Sequence, residues 1–172
     1  MEPDEPQADD EAMPSAAPRP GRCHLLLSGR FNSERVNNYM KAVKRRLEER
    51  RIPAYMVQAQ VGQSFAELAW IGLSRAKGMV AFCTSDYGAY TGAGYETFHE
   101  LEYAHDHQLQ IFPIRLCEEW PPAPQDNPRG TIQNKLVFKN GLAFIDDRQM
   151  NNAEGAADQI ADSVTSSGIL FN

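Results

Sequence analysis

Glu100 is the residue in this sequence best placed to do chemistry. It ends the tetrad Thr97-Phe98-His99-Glu100, where a helix opens after the long glycine- and tyrosine-rich loop Thr84 to Glu96. A carboxylate there has two readings. In one, Thr97 and Glu100 make a capping box, with the carboxylate reaching back to the Thr97 backbone N–H. In the other it faces a cleft and stabilises a developing cation. Spacing alone leaves both open.

Other patterns fall short. Gly92-Ala93-Gly94-Tyr95-Glu96-Thr97 has the strand-loop-helix setting of a dinucleotide loop but lacks the third glycine of G-x-G-x-x-G. His99-Glu100-Leu101-Glu102-Tyr103 misses the HExxH zinc motif, because Tyr103 stands where the second histidine must be. His105 and His107 are two apart and point to different helix faces, so no metal is expected. Cys83 and Cys117 lie in or beside apolar strands, the setting of small hydrophobes, and Gly-x-Ser-x-Gly is absent. Lys41, Lys44, Arg45, Arg46, Arg50 and Arg51 alternate with Glu48 and Glu49 at amphipathic spacing, which describes a solvated helix face.

Positioning Glu100 needs a scaffold, and apolar runs alternate with helical patterns as in an α/β fold with a parallel sheet. Cys23–Ser28 reads as a buried first strand, and Ser33 as the cap of a helix from Glu34 to about Arg51. Ala54–Val57 is a second strand, followed by the loop Gln58–Gln63. Ser64 and Glu67 form a capping box for a helix that Gly78 ends. Met79–Cys83 is the third strand, Thr97 to about Gln108 a helix, and Leu109–Leu116 the fourth strand, in which Pro113 suggests a bend or an end. Trp120 to Gly130 is a loop. Leu136–Phe138 and Leu142–Ile145 read as short edge strands, and Ala153 to about Val164 as a last helix. Ligands in such sheets bind at the carboxyl ends of the strands, so the loops Ser28–Asn32, Gln58–Gln63 and Thr84–Glu96 are the candidates.

The 172 residues suit one domain with a sizeable core. The formal charge of −6 is uneven. Glu2, Asp4, Glu5, Asp9, Asp10 and Glu11 crowd a proline-rich stretch, so 1–21 reads as a disordered leader and 22–172 as the domain. A near-neutral body offers no basic field for nucleic acid or an anionic membrane surface. No apolar run approaches the roughly 20 residues that cross a bilayer. Three widely spaced cysteines, Cys23, Cys83 and Cys117, give neither a disulfide framework nor a CxxC zinc site. A cytoplasmic, reducing setting is expected.

Five segments in register resemble TIR (Toll/interleukin-1 receptor) domains. Leu27-Ser28-Gly29-Arg30-Phe31-Asn32-Ser33 is similar to their first strand and turn, and Gln58–Phe65, with Gly62 before a capped helix, to their BB loop. Val80-Ala81-Phe82-Cys83-Thr84-Ser85-Asp86-Tyr87 resembles their third strand, Glu100-Leu101-x-x-Ala104 their E-L-x-x-A helix, and Ile111-Phe112-Pro113-Ile114 their next strand. The resemblance runs from about Cys23 to Val164 and implies a flavodoxin-like fold with a mostly parallel five-stranded sheet.

It also implies a function: cleavage of NAD at the nicotinamide–ribose bond, in immune or cell-death signalling, with NAD as substrate and no cofactor. By the resemblance Glu100 is catalytic. Ser28, Gly29, Arg30 and Phe31 line the cleft, with Arg30 near the pyrophosphate and Phe31 free to stack. Gly62 belongs to the BB loop, and Tyr87 and Tyr95 pack on the nicotinamide or adenine. Two departures stand out. Gly29 replaces the usual aromatic, and Glu96-Thr97 replaces a Trp-Cys pair, which leaves Tyr95 as the substitute stacking partner. Self-association through the BB loop, Gln58 to Ser64, is implied, as are contacts with other TIR proteins. The alternatives are a non-catalytic TIR scaffold and a nucleoside or nucleotide N-glycosidase resembling the deoxyribosyltransferases.

Overall fold

The computed structural model describes residues 22–57, 61–93, 96–139 and 141–172. The expected leader, the loop residues Gln58 to Gln60 and the candidate Tyr95 lie outside the described residues. The elements run β1 (His24–Ser28), α1 (Glu34–Glu49), β2 (Ala54–Met56), α2 (Phe65–Ser74), β3 (Ala76–Cys83), α3 (Thr97–Asp106), β4 (Gln110–Arg115), α4 (Pro128–Val137), β5 (Ile145–Asp146) and α5 (Ala153–Ser167).

The strands form one sheet in the order β2-β1-β3-β4-β5, and every neighbouring pair is parallel. This is the flavodoxin-like winding. Strands this buried must be apolar on both faces. Leu25 and Leu27 point into one core with Val43 and Leu47 of α1 and Ile160 and Val164 of α5. Leu26 points into the other with Ala69 and Leu73 of α2, Leu101 of α3 and Val137 of α4. The helices that follow β1 and β3 therefore leave on opposite faces, and a crevice forms where their loops part.

α1 forms as the spacing predicts. Ser33 caps it, its Oγ accepting from the Val36 N–H at 3.4 Å, and Val36, Tyr39, Met40, Val43 and Leu47 make the buried stripe. Each such side chain contributes roughly 1.5–3 kcal/mol on burial, as an upper estimate. Its end is a reversal through Arg51, whose φ of 62° is left-handed.

Five expectations are corrected. Gly78 does not stop α2. That helix ends at Ser74, and Gly78 lies inside β3 paired with Gln110, where a Cβ would stand 3.0 Å from Leu25 and 3.2 Å from the Gln110 carbonyl. The segment Trp120 to Gly130 is not loop throughout, and Leu136–Phe138 is not a strand. Asn127 caps α4 by accepting from the Gly130 N–H at 3.0 Å, and Pro128 occupies the first turn, where its missing N–H costs nothing. The edge strand is Ile145–Asp146 rather than Leu142–Ile145. Pro113 neither bends nor ends β4, which pairs with β3 along its whole length but with β5 only at Ile114 and Arg115. Arg115 turns its carbonyl to the β5 side, where it accepts from the Asp147 N–H. By the period of two, Pro113 faces that same open side, so the ladder loses no donor.

Candidate active site

Glu100 sits in the first turn of α3 and is 4% exposed. The positive end of a helix favours a carboxylate at this position. The capping box on Thr97 is not formed, because the cap residue is Glu96 and Thr97 is already helical. The Thr97 hydroxyl accepts instead from the Gly88 N–H at 2.9 Å, tying the preceding loop to α3.

Across the crevice, the β1–α1 loop meets the β3–α3 loop through polar side chains. Ser28 Oγ and Tyr87 OH lie 2.8 Å apart, and either can donate. Arg30 Nε pairs with Asp86 Oδ2 at 3.1 Å, and Asn32 Nδ2 donates to the same oxygen at 2.7 Å. Thr84 donates its hydroxyl to Asp86 Oδ1 at 2.6 Å.

Ser28 and Tyr87 are both fully buried. Tyr87 has no exposed ring face in this structure, and its ring packs against Phe138. Burial pushes the Tyr87 phenol well above its ordinary 10.0. Neighbouring Cys83 and Glu100 push the same way, and the Ser28 hydrogen bond opposes them. The phenol is therefore a neutral hydrogen-bonding group beside a carboxylate. Burial likewise raises both nearby thiols, Cys83 strongly and Cys117 to about 11, which makes them poor nucleophiles.

Arg30 and Phe31 reach the surface, with Phe31 38% exposed. Gly29 is a close-packing glycine. A Cβ would lie 2.7 Å from Met40 Sδ and 3.2 Å from Phe82 Cβ, so Met40 fills the space that a larger side chain would need. Gly62 stands apart on the exposed β2–α2 loop, where its φ of +86° requires glycine although no atom crowds it. Beside it Val61 is fully exposed and Phe65 39% exposed.

Several residues absent from the expected site hold it in place. Asn134 of α4 donates Nδ2 to the Tyr87 and Pro122 carbonyls, both at 2.8 Å. Gly88 has φ +79°, and a Cβ there would strike Asn134 Oδ1 at 2.2 Å. Glu96 folds the loop on itself by accepting the Thr91 N–H at 2.9 Å and the Thr91 hydroxyl at 2.5 Å. The Arg129 guanidinium lies 3.9 Å above the Tyr90 ring, which meets Phe98 edge-on. Only Asp86 and Glu96 carried a signal, as acids flanking a turn. The others depend on which helix packs behind the loop.

Among the described residues, one cavity lies at this end of the sheet and another runs along its edge from the amino end of β4. One of about 490 Å³, lined by Thr84, Ser85, Cys117 and Glu118 among others, sits at the carboxyl ends of β3 and β4. The other, about 640 Å³, follows the open edge of β4 between α4 and α5. Among the described residues no three His, Cys, Asp or Glu side chains gather to hold a metal ion, and no helix is long and apolar enough to cross a membrane.

No protein-family model matches the sequence, and no curated protein does. Solved structures do. The TIR domains of the activated Roq1 resistosome, which directly recognises the pathogen effector XopQ, superimpose with a TM-score of 0.61 at 14% identity. The match covers 83% of this chain and 99% of that one. The RPS4 and RRS1 TIR domain heterodimer gives a TM-score of 0.54 at 12% identity over 84% and 96% of the two chains.

Proposed function

The chain has the TIR fold, and we propose that on it Glu100 drives cleavage of the nicotinamide–ribosyl bond of NAD. The observation that carries this reading is one carboxylate, 4% exposed, at a helix start beside the β1/β3 crevice. The nicotinamide of NAD is already a cation. When its C–N bond breaks, the electron pair goes to the ring nitrogen, and neutral nicotinamide leaves without needing a proton. Positive charge then develops on the ribosyl carbon and ring oxygen, and a fixed anion stabilises it. Water adds to that carbon and releases a proton, giving ADP-ribose; attack by a nucleophile within the same molecule gives a cyclic product.

Glu100 lies below the surface, so the substrate reaches it when the loops above it part. Arg30 and Phe31 are the exposed groups at the rim, suited to a phosphate and to an aromatic ring. Incubation with millimolar NAD tests the reading directly. Wild type is expected to release nicotinamide, and Glu100→Ala to lose about 10²–10³-fold, the cost of one well-placed electrostatic group. No release by wild type, or equal release by the variant, overturns it.

Self-association belongs to the proposal through the exposed β2–α2 loop. Val61, Gly62 and Phe65 present apolar surface on a left-handed turn, and the RPS4 and RRS1 domains are described as a heterodimer. Gly62→Val forces a β-branched residue into the left-handed region at about 1–2 kcal/mol and reshapes the loop. It is expected to reduce the sedimentation-detected oligomer and leave the folded monomer; an unchanged distribution removes the loop from the interface.

A further inference from the structure

Asp86 takes no part in the chemistry above, yet it organises three side chains from two loops. Its Oδ2 accepts from Asn32 and pairs with Arg30, and its Oδ1 accepts from Thr84. Arg30 meets it as an ion pair at Nε, 3.1 Å from Oδ2. Among the described residues the two terminal nitrogens of Arg30 meet no acceptor. A guanidinium is rigid and planar, so a carboxylate fixed at Nε sets the direction of the far edge. That edge carries the parallel donors that grip a phosphate. The pair is partly open, with the Arg30 side chain 27% and the Asp86 side chain 37% exposed.

We propose that Asp86 is a positioning residue, which aims the free edge of Arg30 at the anionic diphosphate of a dinucleotide bound in the crevice. The proposal rests on the NAD reading above. Its sign is opposite to what bare charge implies. Deleting a carboxylate next to an anion site removes a repulsion and should tighten binding. Solvent screens that repulsion at a partly exposed site, whereas a released arginine regains some of the largest rotamer freedom of any side chain. Positioning therefore outweighs repulsion, and loss of Asp86 weakens binding.

The probe is ADP-ribose, which binds without turnover, titrated by calorimetry into the full chain. Asp86→Ala is expected to weaken binding about tenfold, the order of one charge-assisted contact. In an Arg30→Gln background the same substitution is expected to change binding less than about twofold, because the group it orients is gone. Asp86→Asn keeps the shape and is expected to lie between; it replaces the alanine variant if that one fails to fold. Unchanged or tighter binding by the Asp86 variants overturns the proposal, as does an equal loss in both backgrounds. Wild type that does not bind ADP-ribose overturns the nucleotide reading as well, which separates the two failures.

Discussion

Arginine meets aspartate near both ends of α1, in two different ways. Towards its C-terminus, Arg46 presents Nε and Nη2 to the two oxygens of Asp158 at 2.9 and 3.3 Å. Arg50 divides Nη1 and Nη2 between Asp158 and Asp162, each at 2.9 Å. These pairs lie across two helices whose inner faces are apolar, with Val43 and Leu47 in one core with Ala157, Ile160 and Val164. Ahead of the N-terminus, Arg30 touches Asp86 at one nitrogen and joins two loops rather than two packed helices. Arg46 engages all three of its nitrogens and Arg50 two, whereas Arg30 engages one. The difference separates a region built to hold from a region built to receive.

The largest expected effect breaks the holding side. Ile160→Ala empties a fully buried position between α5 and the sheet, and a loss of about 2–5 kcal/mol in urea unfolding is expected. Nicotinamide release per folded molecule should not change, since nothing at the crevice is touched. Glu100→Ala tests the reverse: activity is lost while the urea midpoint holds or rises, because a buried carboxylate costs desolvation.

A smaller effect comes from the amino end of β1. His24 is buried, with Nε2 2.7 Å from the Gly72 carbonyl and its ring stacked on Tyr55. Burial lowers its pKa below 6.5, Arg75 adds to that, and the Gly72 bond opposes it. The unfolded chain then takes up a proton at a pH where the folded chain does not. Stability is therefore complete above 6.5 and falls as the pH drops from there toward the lower folded value. Urea midpoints from about pH 7.5 to about pH 5 should show that fall, and His24→Gln should flatten it. The smallest effect is expected from Arg46→Gln with Arg50→Gln. The pairs are solvent-screened, so the drop in Tm should shrink toward zero as salt is raised. A drop indifferent to salt would show that the stems, not the charges, join the helices.

Most of the scaffold was legible because strong local signals coincided with the tertiary need. α1 has its cap and its 3.6-period stripe, and β1, β3 and β4 are apolar runs of the right length. α4 was not legible, because its inward residues are Gly130, Asn134 and Val137 while Ile132 and Leu136 face solvent. A helix whose small and polar residues point in has no apolar stripe to read. Glu100 stands out by its place after a loop and by resemblance, and only the cap at Glu96 and the Thr97–Gly88 contact show that the capping box is absent. Asp86 carried only the signal of an acid beside a turn, and Asn134 carried none. Their partners are Arg30, Asn32 and the Tyr87 carbonyl, and only the adjacency of β1 with β3, or the packing of α4 behind the loop, brings these together.

Gly88 and Gly130 carry a consequence for how this sequence can drift. A Cβ on Gly130 would lie 2.5 Å from the Gly88 carbonyl oxygen, and one on Gly88 would overlap Asn134. Gly130 meets the loop backbone directly, and the Asn134 side chain that fills the space beside Gly88 is itself held by the Tyr87 and Pro122 carbonyls. Neither position can acquire bulk alone. Descendants of this chain are therefore expected to vary at 88, 130 and 134 together or not at all, so that three silent-looking sites are inherited as one.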